Sequence, residues 1–263
     1  MVECTKDFAT RIVTVVIPAS RVPNSGMLQF WHDLSTFEGV EKIVFVANGQ
    51  KRYEIIQILN RHFSAAENIE IVSNELGSAP HARNAGLVCV DTPYIHFLDD
   101  DDQVRSDFYS QTTAILEQED VIGVAVSAHV YIDGDPKNSY LVSRSDRKIG
   151  LQALLVDNYL GPTSGVVLKT REVNAVRGFD ESMPARQDYD LWLRLGKLGD
   201  FRSYSEPLLV WTENRSRPSI RNSTSTERHR VAIEKLTERK TELGWAELPA
   251  NLRRRSMANH YKY

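Results

Sequence analysis

The chain carries only two cysteines, Cys4 and Cys89, among 263 residues. Two cannot build a disulfide framework, and neither stands at a zinc-site spacing from other Cys or His residues. Both therefore read as reduced, buried thiols of a cytoplasmic protein. No apolar run approaches the roughly 20 residues that a membrane-spanning helix needs. The opening segment MVECTKDFATR is polar and lacks the apolar stretch of a signal peptide. A strong charge of either sign is also missing. The formal net charge is -3, which argues against broad electrostatic attachment to nucleic acid. Repeats and low-complexity tracts are absent too. What remains is an ordinary soluble composition, 41% hydrophobic and 25% charged. A chain of this length can bury a core without covalent or metal staples.

Short β-rich runs alternate with helix-like stretches through the first half. Residues 12–17 (IVTVVI) end at Pro18, 42–46 (KIVFV) end near Asn48-Gly49, 69–72 form a third run, and 94–98 (YIHFL) end in acids. Amphipathic candidates lie between them at 27–36, 52–62 and 81–90. Near-continuous apolar strands separated by helices predict an α/β fold, with a mostly parallel central sheet flanked by helices on both faces. The second half is less regular. Residues 121–132 read as a long strand that turns at Asp133-Gly134-Asp135-Pro136 and returns near 139–143. Residues 165–169 read as a further strand, 189–197 as a helix, and 224–243 as a highly charged helical tail.

Ligands of open parallel sheets bind outside the carboxyl ends of the strands. Three such ends carry unusual residues here: Pro18-Ala19-Ser20, Ala47-Asn48-Gly49, and the run Asp99, Asp100, Asp101, Asp102. Four adjacent carboxylates repel one another and require a counter-charge. In an extended or turning segment Asp99 and Asp101 share a side. Two hard oxygen donors so placed suit Mg²⁺ or Mn²⁺ bridging to diphosphate oxygens. A solvated acidic turn is the plainer alternative. Ser78 and Pro80 are placed to open a helix carrying Arg83 and Asn84. Arg83 would contact a nucleotide there or pair with the acidic loop. Asp188 falls at the start of another helix, whose dipole favours an ionised carboxylate that could act as general base. An N-cap is the commoner role for such an Asp. Leu191, Trp192 and Leu195 read as core.

Together, residues 15–18, Ala82-Arg83-Asn84-Ala85-Gly86, 97–102 and 178–194 resemble, in order and spacing, the motifs of family-2 inverting glycosyltransferases with a GT-A fold. The resemblance spans residues 11–221. It implies a nucleotide-binding half (11–102), an acceptor-binding half (103–221) and a helical tail (222–263). It also implies that Pro18, Ala19, Asn48, Arg83, Asp99 and Asp100 bind the donor, and that Asp101 holds Mn²⁺ or Mg²⁺. Asp188 would deprotonate the acceptor hydroxyl in a single in-line displacement. A UDP-sugar is the first expectation for the donor, with GDP- or dTDP-sugars open. The acceptor is expected to be a saccharide or lipid-linked saccharide of a bacterial surface polysaccharide or glycolipid.

The chain departs from the family pattern at three places: Ala47 replaces the acid that ends the second strand, Gln187 the glutamate before the base, and Asn214 a histidine. Arg215, Arg217 and Arg221 follow, and the reading assigns one of them to the diphosphate. In the tail, Trp245, Leu248, Leu252, Arg253-Arg254-Arg255 and Tyr261-Lys262-Tyr263 suit an anionic lipid surface, so peripheral contact with the inner face of the cytoplasmic membrane is one reading. A solvated helix is the other. A nucleotidyltransferase is a competing function, opposed by the lack of a Gly-rich loop after the first strand. A non-catalytic binding module of the same fold is a second, kept open by Ala47, Gln187 and Asn214.

Overall fold

The computed structural model describes residues 12–213 and 226–260. The four apolar runs form β1 (Val13–Ala19), β2 (Val40–Asn48), β3 (Ile69–Asn74) and β4 (Tyr94–Phe97), ordered β3-β2-β1-β4 and parallel throughout. Their residues alternate between two cores. Val13, Val15, Ile17 and Ala19 face one core and Val16 the other, while on β2 Ile43, Phe45 and Ala47 face the first and Val44 and Val46 the second. A strand covered on both faces needs apolar residues at every position, which explains runs without polar alternation. Helices α1 (Ser25–Leu34) and α2 (Arg52–His62) cover the first face with Trp31, Leu34, Ile55 and Leu59. Helix α3 (Ala79–Leu87) covers the second, as its Ala82 and Leu87 show. Its Gly86 lets the helix lie close on the sheet, because a Cβ there would collide with Val16.

Beyond β4 the sheet changes character. A short β5 (Gln103–Val104) and helix α4 (Phe108–Gln118) lead into β6 (Gly123–Ile132), β7 (Asp135–Val142), β8 (Arg147–Ile149) and β9 (Val166–Lys169). After helices α5 (Leu151–Val156), α6 (Thr170–Ala175) and α7 (Gln187–Leu195) comes β10 (Phe201–Glu213). The full order is β3-β2-β1-β4-β9-β6-β10-β5, with β7 on β6 and β8 on β10. Parallel pairing carries the long ladders, including β6 with β10, and antiparallel β9 stitches the two halves together. The expected hairpin turns at Asp133 and Gly134, both at positive φ. The sequence pattern concealed β10. Its ladder shifts register between Tyr204 and Leu209, around Pro207, and polar residues precede the shift. The bulge accommodates the proline and breaks the apolar run that would have betrayed the strand.

The charged segment after residue 225 is built into the second core. Helix α8 (Thr226–Glu242), a 3₁₀ turn (Trp245–Glu247) and helix α9 (Ala250–His260) bring Ala232, Leu236 and Leu248 beside Leu191 and Trp192. Trp245 and Leu252, two of the residues singled out for a lipid surface, pack on the same core. Polar contacts fix the register. Arg239 Nε donates to Asp190 Oδ1 at 3.1 Å, and Arg194 Nε donates to Asp190 Oδ2 at 2.8 Å. Lys240, 3% exposed, donates to Ser256 Oγ at 3.3 Å and lies 4.9 Å from the Tyr189 ring centre. Burial pushes its ammonium down to about 8, with Asp157 pulling the other way. Cys89 is half-buried rather than buried, and Cys4 lies outside the described residues.

A buried histidine closes the fold beneath the site. His96 Nδ1 lies 2.9 Å from the Tyr109 hydroxyl and Nε2 lies 2.9 Å from the Ser164 carbonyl oxygen. Burial pushes the imidazole down to about 4, against the pull of the Ser164 carbonyl. The unfolded chain takes up this proton near the ordinary histidine value of about 6.5, so stability should fall as pH drops from about 6.5 toward 4. Urea unfolding of the wild type and His96→Gln across this range checks the sign. The variant is expected to lack this part of the acid decline, and parallel declines would contradict the assignment. A second prediction concerns the tail. Asp190→Ala removes the buried carboxylate that answers the half-buried Arg194 and is expected to cost about 3 kcal/mol. Arg239→Ala should cost less, since Arg194 still answers Asp190. Equal, small losses in urea titrations would contradict the tail's structural role.

Candidate active site

Strands β1 and β4 pair only as far as Val16 and Phe97. Beyond that point β1 continues alone beside β2 through Pro18 and Ala19, while β4 turns into the acidic loop. Pro18 lies past the last β4 partner, so its missing N–H leaves no ladder bond toward β4 unmade. The chain steps from β1 outward to β2 and β3, then returns on the far side with β4. This switch point is where a parallel sheet opens a crevice at its carboxyl ends.

The four aspartates alternate. Asp100 and Asp102 are buried, while the side chains of Asp99 and Asp101 are 35% and 30% exposed. Each is answered separately. Asp100 Oδ2 accepts the backbone N–H groups of Ser20 at 2.9 Å and Arg21 at 3.3 Å, and Asp100 Oδ1 accepts Arg21 Nε at 3.0 Å. Burial raises the Asp100 carboxyl above its usual range, with Arg21 and the Ser20 amide opposing. Asp102 accepts the Thr212 N–H at 3.4 Å. Burial, then the charges of Asp99 and Asp101, push Asp102 well above the usual carboxylate range, favouring its protonated form. Asp99 receives Arg83 Nη2 at 2.5 Å, and its own N–H donates to Ser164 Oγ at 3.1 Å. Arg21 Nη1 donates to Asp101 Oδ2 at 2.8 Å, and Nη2 lies 2.8 Å from Oδ1. Burial works against the Arg21 charge, but its bonds to Asp101 and Asp100 hold the guanidinium above its ordinary range.

Arg83 thus pairs with the acidic loop, as one of its two readings held. Its guanidinium also lies 5.3 Å from the Phe179 ring centre. Ser78 caps α3, its hydroxyl accepting the His81 N–H at 3.4 Å, which sets Arg83 on the turn facing Asp99. Asn84 ties α3 to the 178–181 segment. It accepts the Phe179 N–H at 2.8 Å and donates to the Phe179 carbonyl at 2.9 Å and to Glu181 at 3.0 Å. Gly178 has a φ of 65°, and a Cβ there would come within 2.5 Å of the Asn84 oxygen. Glycine is needed at this point for both reasons.

Asp188 is the second residue of α7, half-buried, with its Oδ1 accepting the Tyr189 N–H at 2.8 Å. The N-cap is Arg186, in the left-handed region at φ 57°, so capping does not account for Asp188. Arg194 holds α7 to the 178 segment, donating to the carbonyls of Val176 at 2.8 Å and Gly178 at 2.6 Å. Trp192 is fully buried, its indole N–H on the Gly161 carbonyl at 2.9 Å. Asn48 is 5% exposed and engaged internally, its Oδ1 accepting Asn74 Nδ2 at 2.8 Å and its Nδ2 reaching the Ser78 carbonyl at 3.5 Å. Arg215, Arg217, Arg221 and Asn214 lie outside the described residues.

Two contributors escaped the sequence reading, Arg21 and Ser164. The signal for Arg21 was the need of four acids for a counter-charge, together with an arginine directly after Pro18-Ala19-Ser20. Ser164 sits in a 3₁₀ turn (Thr163–Gly165) without a local motif.

Among the described residues no three His, Cys, Asp or Glu side chains converge on a metal position. The donor set still suits Mg²⁺ or Mn²⁺. Asp101 and Asp99 offer hard, partly exposed oxygens at the crevice, and these ions ordinarily complete their shells with water and phosphate oxygens. A groove of about 490 Å³ beside Asp101 is lined by Ser20, Arg21, Lys51, Gln103 and Thr212.

Comparison with known proteins bears on the fold and the family. The chain is 28% identical over 173 residues to the amylovoran biosynthesis glycosyltransferase AmsB of Erwinia amylovora, covering 62% of this chain and 55% of that protein. It is 27% identical over 213 residues to the pre-mycofactocin glycosyltransferase of Mycobacterium tuberculosis, covering 78% of this chain and 43% of that one. The chain therefore spans about half the length of these relatives. S. aureus TarS 1-349 superposes with a TM-score of 0.71 at 12% identity, over 96% of this chain and 72% of that 1-349 chain. The complex of that protein with UDP-GlcNAc superposes with a TM-score of 0.69. This likeness concerns the fold, which is GT-A. The model of glycosyl transferase family 2 matches residues 14–169, more than half of the chain, and the protein belongs to that family.

Proposed function

We propose that this protein transfers a glycosyl group from a nucleoside diphosphate sugar to an acceptor hydroxyl, inverting the anomeric centre. The observation that carries the reading is the acidic loop after β4, where Arg83 pairs with Asp99 and Arg21 with Asp101. Complexes of TarS with UDP-GlcNAc and with UDP support a UDP-sugar as donor. In this reading Pro18 and Ala19 give a flat strand end for the nucleotide. The Arg83–Asp99 pair presents one guanidinium and one carboxylate to base and ribose. Asn48 at the end of β2 is assigned to the donor as well, its amide aligned by Asn74. Asp100 serves the site indirectly by fixing Ser20 and Arg21. Asp101 holds Mn²⁺ or Mg²⁺, which when bound supplies charge neutralisation for the departing diphosphate. Arg215 and Arg217 are assigned to the same diphosphate.

Asp188 is the general base in this account. The α7 dipole favours its ionised form. The Asp190, Arg194 and Arg239 network fixes the helix that carries Asp188, the residue assigned to take the acceptor proton. The relative named for amylovoran biosynthesis supports a place in bacterial polysaccharide assembly, with a saccharide or lipid-linked saccharide as acceptor. Among the described residues no helix is long and apolar enough to cross a membrane. Peripheral contact through the tail would rest on Arg254, Arg255 and the exposed Met257, since Leu248 is buried.

Asp188→Asn is expected to lower kcat by about 10²–10⁴-fold, with little change in affinity for the donor nucleotide. Proton NMR of the first product should show the anomeric configuration opposite to that of the donor. Retained kcat in the variant, or a product of retained configuration, would remove Asp188 from this role.

A further inference from the structure

Arg21 engages the carboxylate of Asp101, the residue assigned above to a divalent cation. Both oxygens of Asp101 face its guanidinium, Oδ2 at 2.8 Å from Nη1 and Oδ1 at 2.8 Å from Nη2. This is the two-pronged geometry in which arginine and carboxylate bind most strongly. The side chain is fixed at its root as well. The Ser20 and Arg21 backbone N–H groups donate to Asp100 Oδ2, and Arg21 Nε and Nη2 both reach Asp100 Oδ1. Asp100 is buried, whereas the Arg21 side chain is 43% exposed along the groove beside Asp101. The arm on Asp100 is therefore structural, and the arm on Asp101 is open to exchange.

We propose that Arg21 is a specificity residue that makes this site take a divalent cation only together with a nucleoside diphosphate. The inference rests on the assignment of Asp101 as metal ligand. A cation arriving alone must strip the guanidinium from Asp101 and leave that positive charge facing another. A cation arriving with a diphosphate brings anionic oxygens that the released guanidinium can bind, so Arg21 exchanges a carboxylate for a phosphate partner and no charge is left unanswered. Hydrogen-bond number is conserved in the exchange, because phosphate accepts the same planar fork. Arg21 thereby becomes a contact of the donor diphosphate from the β1 side of the crevice.

The test is Mn²⁺ binding to the full chain, read from the loss of the free-ion electron paramagnetic resonance signal, with and without UDP. Wild type should bind Mn²⁺ weakly alone and much more tightly with UDP. Arg21→Gln should bind Mn²⁺ alone about tenfold more tightly, since a like charge has left the site, and UDP should then strengthen Mn²⁺ binding less. Arg21→Lys keeps the charge without the fork and should fall between them, which also serves if Arg21→Gln folds poorly. Unchanged Mn²⁺ affinity in both variants, with UDP coupling intact, overturns the role of Arg21 and leaves Asp101 as ligand. UDP binding indifferent to Mn²⁺ in every protein, Asp101→Asn included, overturns the metal assignment itself and the inference with it.

Discussion

Four carboxylates in succession at the end of a buried strand can be kept only if each is answered by its own donor or counter-charge. The structure meets this constraint by alternation. Asp100 turns inward to the Ser20 and Arg21 amides, and Asp102 to the Thr212 amide, while Asp99 and Asp101 remain at the crevice opposite Arg83 and Arg21. The elements that meet here are recruited from distant parts of the chain: the loop after β1, helix α3, the turn at Ser164 and the bulged strand β10. These contacts add to the sheet pairing through β9 that joins the two halves.

Positioning of the candidate base on helix α7 follows a parallel logic. Asp190 is buried and held by Arg194 from its own helix and Arg239 from the tail. Two residues earlier on the same helix, Asp188 is left half-exposed. In both places one acid of a pair is committed to structure so that its neighbour can be presented. The 178–181 segment joins the two regions, since Asn84 of α3 clasps Phe179 and Arg194 of α7 clasps Gly178.

The first half of the fold was legible because strands buried on both faces leave continuous apolar runs, and because Ser78, Pro80 and Asn48-Gly49 punctuate them. Helix α2 falls at 52–62 as its periodicity predicts. Strand β10 was not legible, as its register shift around Pro207 breaks the apolar pattern. The tail's role was hidden for a different reason. Helix α8 is mostly charged, and only tertiary contact reveals that Arg239 and Lys240 face inward. At the site, the residue types and their order pointed to Arg83, the four aspartates and Asp188. Which aspartates turn in, and that Arg21 answers two of them, depends on the path of the loop after β1, which no local pattern records.

The division of labour within the acidic loop is the central claim, and Asp100→Asn and Asp101→Asn measured side by side test it most directly. For each variant the unfolding midpoint and the calorimetric affinity for UDP, with Mn²⁺ and with chelator, would be determined. The account predicts that Asp100→Asn lowers the midpoint while UDP affinity keeps its dependence on Mn²⁺. Asp101→Asn should leave the midpoint close to wild type, since a half-exposed ion pair contributes about 1 kcal/mol or less, and should abolish the Mn²⁺ dependence. The opposite assignment, or two variants that lose stability and metal dependence together, would contradict it.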